Sequence, residues 1–262
     1  MNTKSLTAAL AGLLLVAPVL AACSHDSGGR AGHGAGAAAA GAAAAPKESR
    51  ISPVLLLGDS VAAGLAAPMT EAFAASGNRF QSLASDGGGN VVGPFADENW
   101  VTLPQQIAAS AAHLVVYQVT TYDWGTEDEQ RAGYERLATT VAAAGAELVL
   151  VTMPPIRADD FYQPHVDELA RTAAVARAVA DGSGGKAAFF DATDVWGADF
   201  QPQRDGVTDR SSDGIHVCPQ GAARFTVWLT GKLAERYPDF TPADATTWAN
   251  TGWSSDEHFV GC

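Results

Sequence analysis

Only three cysteines occur among the 262 residues, Cys23, Cys218 and Cys262. That is too few for a disulfide-dense scaffold or a thiolate metal cluster. Positive charge is also scarce: 16 lysines and arginines face 29 aspartates and glutamates, for a formal net charge of −13. No basic cluster interrupts this acidity, so the chain cannot neutralise a phosphate backbone, and no nucleic-acid partner is expected. Internal repeats, a P-loop and a dinucleotide fingerprint are all missing. The glycines of Asp181–Lys186 lack P-loop spacing and read as a helix-to-strand turn. After residue 23 no run is long and apolar enough to cross a bilayer. His25 and His33 have no third ligand type at fixed spacing, so neither a metal site nor a cofactor is expected.

What is present begins with an address. Residues 1–22 carry Lys4 near the start, an apolar stretch broken by Gly12 and Pro18, and small residues leading to Cys23. This is the layout of a secretory signal. Leu20-Ala21-Ala22-Cys23 is similar to a bacterial lipobox, which predicts cleavage before Cys23, lipidation of its thiol, and an extracytoplasmic protein anchored to the cell membrane. Residues 23–50 are rich in glycine and alanine and contain no aromatic, so they cannot bury a core and read as a flexible tether. Residues 51–262 are long enough for one domain with a sizeable core, read as a monomer. In an exported protein the remaining pair, Cys218 and Cys262, reads as a disulfide that ties the last residue back to the main body. Such a bridge would pin the tail bearing Trp248, Trp253 and Phe259.

Within the domain, five short apolar runs each lead into a loop or helix: PVLLLG, FQSLAS, HLVVYQVTTYD, ELVLVTMPP and AAFFDA. The alternation predicts an α/β domain, a three-layer α/β/α sandwich with a five-stranded parallel sheet. Ligands of such sheets bind beyond the carboxyl ends of the strands. The break in VLLLGDSVAAGL puts Ser60 there, on a strand-to-helix turn, and Asp86–Asn90 and Thr120–Trp124 follow the next two strands. Asp59 or Ser60 suits a helix cap. Ser60 becomes a nucleophile only if a base takes its proton and a third group orients the base. Asp213 and His216 stand three apart before the last helix. In a tight turn that spacing lets the carboxylate reach one imidazole nitrogen and leaves the other for Ser60.

GDSVAAG near the start and DGIHVCPQGAARF near the end, in that order and at that distance, resemble the first and last blocks of the SGNH hydrolases, the GDSL-like lipases and acylhydrolases. The resemblance covers Val54 to Tyr237 and implies Ser60 as nucleophile, His216 as general base and then acid, and Asp213 as the orienting carboxylate. The pattern is not the G-x-S-x-G elbow, since Ala62 stands where the second glycine would fall. The family's oxyanion hole takes the backbone N–H of the serine, a glycine of the second block and an asparagine amide of the third. The first two map here to Ser60 and to Gly87 or Gly88. The third block departs from the family: Thr120 replaces its glycine and Tyr122 its asparagine. Tyr122 is therefore the expected third donor, with Gln118, Thr121 and Asn90 as alternatives. Trp100, Tyr122, Trp124, Phe161 and Tyr162 are expected to border the crevice, and Arg157 to meet an anionic group or serve the fold. These readings imply a serine esterase acting on O-acyl esters, including acetyl esters of a small molecule or glycan. The alternatives are an acyltransferase to a glycan hydroxyl and a surface binding protein that has lost turnover.

Overall fold

The structure is a computed structural model that describes residues 47–262. The expected signal segment 1–22, Cys23 and most of the tether 23–50 lie outside the described residues. The end of the expected tether already belongs to the domain. Ser49 is buried and hydrogen-bonded to Asn78 through both its backbone N–H and its hydroxyl, and the Arg50 N–H donates to Asp239.

Five parallel strands form the main sheet: β1 (Val54–Leu57), β2 (Phe80–Ser82), β3 (Leu114–Gln118), β4 (Glu147–Val151) and β5 (Ala187–Phe190), in the order β2-β1-β3-β4-β5. The central strands β1 and β3 are buried along their whole length, which is why their sequences read as continuous apolar runs. Alternate residues serve opposite faces. Val54, Leu56, Leu114 and Val116 face a core completed by helix α1 (Ser60–Ala75) and the last long helix, α6 (Pro219–Arg236). Leu55, Leu57, Val115 and Tyr117 face a second core under α2 (Ala96–Ser110), α3 (Glu127–Ala143) and α4 (Val166–Gly182). The result is the expected three-layer α/β/α sandwich.

Local chemistry explains the helix boundaries. Thr126 and Glu129 form a reciprocal capping box that starts α3. Pro219 occupies the first turn of α6, where its missing N–H costs nothing. Gly184 and Gly185, both at positive φ, turn the chain from α4 into β5, as expected of Asp181–Lys186. Features without a counterpart in the sequence reading include helix α2, where only a glycine loop was expected after β2, a short helix α5 (Thr193–Trp196), and a small hairpin of β6 (Gln203–Arg204) and β7 (Val207–Thr208).

Candidate active site

Every loop expected to carry chemistry leaves the carboxyl end of a strand. After β1, Gly58 makes the sharp turn at φ +150, where an added Cβ would lie 2.6 Å from the Cβ of Ala62. Asp59, rather than Ser60, caps α1. Its carboxylate is fully buried and accepts from Val61 N at 3.0 Å, Thr121 N at 2.7 Å and Thr121 Oγ1 at 2.8 Å. Burial pushes the Asp59 carboxyl up, and these donors pull it back down in part. The capping role is thus taken, and Ser60 stands at the first helical position with its hydroxyl free for other work. Its backbone N–H has no intrahelical acceptor and points out of the positive end of the helix dipole.

The structure brings Ser60, His216 and Asp213 into one hydrogen-bonded chain. His216 Nδ1 lies 2.7 Å from Asp213 Oδ2, and His216 Nε2 lies 2.8 Å from Ser60 Oγ. With Nδ1–H donating to the carboxylate, Nε2 is left to accept from the serine hydroxyl. The other oxygen of Asp213 accepts the backbone N–H groups of Ile215 at 2.7 Å and His216 at 3.0 Å, closing the expected tight turn. Partial burial works to raise the Asp213 carboxyl, but the bonds from His216 and Ile215 outweigh it and hold the group below its ordinary value.

Two arginines brace this turn. Arg210, only 3% exposed, donates to the carbonyls of Pro155 at 2.6 Å, Ile215 at 2.7 Å and His216 at 3.3 Å. Arg157 does not present itself to a ligand. Its N–H donates to Gly214 O at 2.9 Å, its Nη2 donates to Ser212 O at 2.6 Å, and its side chain packs where a Cβ on Gly214 would collide. Nothing in the local sequence distinguished the two arginines, because their acceptors are carbonyls brought in by the fold. Cys218 and Cys262 are bridged, with Cα atoms 5.6 Å apart. The bridge anchors the tail beside the same turn, where Ser212 N donates to Gly261 O and Ser211 Oγ to Val260 O.

The oxyanion candidates sort clearly. Gly87, at φ +66, lines a cleft of about 780 Å³ together with Ser60, Tyr122, Asp213 and His216, whereas Gly88 is not among the lining residues. Asn90 is spent on Val92 O at 2.6 Å, and Thr121 donates through both its N–H and its hydroxyl to Asp59. Gln118 is buried at the end of β3, away from the lining of the cleft, and its amide has no hydrogen-bond partner among the described residues. Tyr122 remains. Its ring packs edge-on against Phe95, Trp124 and Phe161 and at a tilt against Tyr162, which fixes its direction at the rim. Burial raises the phenol of Tyr162 above its ordinary value, and the neighbouring Tyr122 adds to the shift. Trp100 corrects the expectation of a crevice residue. It lies inside α2, 7% exposed, with its indole N–H donating to Val91 O at 2.9 Å, because the helix begins four residues earlier and turns this ring toward the sheet.

Beneath the third loop lies a polar centre that sequence reasoning missed. Asp123 is fully buried and accepts from Tyr117 OH at 2.8 Å, Tyr134 OH at 3.2 Å, Thr120 N at 3.2 Å and Val91 N at 3.4 Å. Desolvation raises its carboxyl to about 7 despite these donors. The group ties the segment after the glycine loop to the segment holding Tyr122. Its sequence signal was confined to the tyrosines it pairs with, Tyr117 on β3 and Tyr134 on α3.

No family model and no curated protein sequence matches this chain. Solved structures do match it. A GDSL-like lipase from Bacteroides thetaiotaomicron superposes with a TM-score of 0.53 at 13% identity, over 70% of this chain and 88% of that one. An α/β hydrolase enzyme from the metagenome of Lake Arreo gives 0.51 at 14% identity, over 68% and 93%. A catalytic mutant of an acetylxylan esterase from Geobacillus stearothermophilus gives 0.50 at 11% identity, over 70% and 94%. The fold is that of the SGNH hydrolases. It supplies the frame, while the chemistry of this chain is carried by its own side chains.

Proposed function

We propose that the protein is a serine esterase of the SGNH type that cleaves O-acyl esters through an acyl-enzyme. The observation that carries this reading is the continuous hydrogen-bonded chain from Asp213 through His216 to Ser60, at the mouth of a cleft beyond the strand ends. In the first half-reaction His216 Nε2 takes the Ser60 proton as Oγ attacks the ester carbonyl. Asp213 keeps the ring in the required tautomer and stabilises the imidazolium that forms. The Ser60 and Gly87 N–H groups, with the Tyr122 phenol at the rim, are the donors assigned to the developing oxyanion. Collapse of this intermediate re-forms the carbonyl and breaks its bond to the alcohol oxygen, which leaves with the proton from His216, and the acyl group stays on Oγ as the acyl-enzyme. Water, deprotonated by the same imidazole, then releases the acid and restores Ser60.

The cleft wall carries Asp86, Asp213 and Glu257, so it favours uncharged esters over anionic ones. Together with the exposed rings of Phe95 and Phe161 near Tyr122, this composition supports a polyhydroxylated alcohol, such as an acetylated glycan, as the substrate. Lipid anchoring through Cys23 outside the cytoplasm belongs to the same proposal and rests on the lipobox. The esterase reading is tested with p-nitrophenyl esters of increasing acyl length on the parent and on Ser60→Ala. Turnover that is highest for acetate and lost in the variant is expected. Equal turnover by the two proteins overturns it.

A further inference from the structure

The C-terminal segment places a second aspartate and histidine in the same cleft. Asp256 Oδ1 accepts the backbone N–H of His258 at 3.0 Å and also lies against Nδ1 of its ring, which fixes the ring from within the segment. The other ring nitrogen, Nε2, is 3.7 Å from Asp86 Oδ1, on the residue that precedes Gly87. The segment itself is firmly held: Cys262 is bridged to Cys218, Gly261 and Val260 are bonded to the Ser211–Ser212 backbone and hydroxyl, and Phe259 packs on Trp253. On its inner side it rests on α1, where a Cβ at Gly64 would come within 3.9 Å of the His258 Cβ.

By contrast, the turn that Asp86 belongs to has little stiffness of its own. Gly87, Gly88 and Gly89 follow one another, two of them at positive φ, and glycine surrenders more freedom than any other residue when it is fixed. An oxyanion donor must nevertheless be held to within a fraction of an ångström. We propose that His258, oriented by Asp256, is a positioning residue that clasps the Asp86–Gly87 turn to the C-terminal segment and so fixes the Gly87 N–H beside Ser60. The proposal rests on the reading of Gly87 as an oxyanion donor.

The chemistry of the clasp sets its pH dependence. A carboxylate stands at each ring nitrogen, so His258 attracts both only as the imidazolium, with Nδ1–H donating to Asp256 and the charged ring facing Asp86 as an ion pair across 3.7 Å. The charged groups around it are Asp256 and Glu257 on its own segment, Asp86 on the β2–α2 loop, and Asp213 and His216 on the β7–α6 loop lining the same cleft. The ion pair with Asp86 requires the protonated ring and is absent when the ring is neutral. General-base catalysis by His216 has the opposite requirement, a neutral ring.

The test measures kcat and KM for p-nitrophenyl acetate with the parent, His258→Gln, Asp86→Asn and the double variant, from about pH 5 to about pH 9. At the acid end each single variant should lose about fivefold in kcat with KM unchanged. The double variant should be no worse than either single one, since both remove the same contact. The gap to the parent should close at the alkaline end. Multiplying losses, or a ratio independent of pH, would overturn the clasp. A second readout does not depend on turnover: the ¹⁵N–¹H signal of Gly87 should follow the titration of His258 in the parent and cease to do so in His258→Gln. Movement of that signal in a protein without esterase activity would overturn the esterase reading and keep the clasp. An active parent whose Gly87 signal ignores His258 would overturn the clasp alone.

Discussion

Replacing Arg210 by lysine keeps the charge and removes the fork. The guanidinium serves three carbonyls, those of Pro155, Ile215 and His216, from a position 3% exposed. Burial lowers its pKa to about 10, so it remains charged at neutral pH. A lysine ammonium is a point donor on a longer stem and can satisfy one of those carbonyls in the same space. The His216 carbonyl keeps a second donor, Ser211 N at 3.0 Å, so the loss falls mainly on Pro155 or Ile215. A hydrogen bond from a charged donor contributes about 1.5–3 kcal/mol. With one strong bond lost and one weaker one, Arg210→Lys should cost about 2–4 kcal/mol, a large fraction of the stability of a typical domain. Urea unfolding followed by tryptophan fluorescence gives the number directly. The turn that carries the imidazole would loosen as well, so kcat/KM should fall about tenfold or more in the still-folded variant. A stability change under about 0.5 kcal/mol, with unaltered kinetics, would show that Arg210 does not brace the histidine turn.

Other perturbations probe separate parts of the site. Asp123 holds its proton up to about 7 in the folded protein, against 3.8 for the free group. The folded state therefore keeps a proton that the unfolded chain has lost, and stability from this group declines as pH rises from about 4 to about 7, by about 4 kcal/mol at most. Asp123→Asn should flatten the unfolding free energy over that window, and an unchanged slope would refute the assignment. Replacing Cys218 and Cys262 together by serine should lower stability by up to about 4 kcal/mol, since the bridge closes a loop with a sequence separation of 44. Two reactive thiols in the denatured, unreduced parent would contradict the bridge. Tyr122→Phe preserves the edge-on packing and removes the phenol, so acylation should slow about 100-fold with KM little changed. Identical rates would take Tyr122 off the list of donors.

The sheet was legible because β1, β3 and β4 are buried along nearly their whole length and write themselves as unbroken apolar runs. Ser60, Asp213 and His216 were legible because each pattern is local: a serine at a strand-to-helix break, and a carboxylate three residues before an imidazole. What escaped was decided by distant backbone. Arg157 finds its acceptors at Ser212 and Gly214, and Arg210 one of its three at Pro155, in carbonyls far along the chain that only folding brings near. Thr121 carried a suitable hydroxyl, but Asp59, buried by the same fold, had already engaged it. Trp100 read as a loop aromatic because nothing in its neighbourhood marks Ala96 as a helix start; Phe95 caps it without a side-chain bond. His258 lay in a tail whose path is set by the disulfide, and its partner Asp86 is on the far side of the sequence.

The most direct measurement of the central claim is a single labelling experiment. The purified protein is incubated with a fluorophosphonate, which phosphonylates a serine only where a base has activated it, and is then digested and analysed by mass spectrometry. The account predicts one adduct, on the peptide containing Ser60, that disappears in His216→Ala while the variant remains folded. A folded parent protein that takes no label, or takes it on another serine, would contradict the assignment of Ser60 as an activated nucleophile.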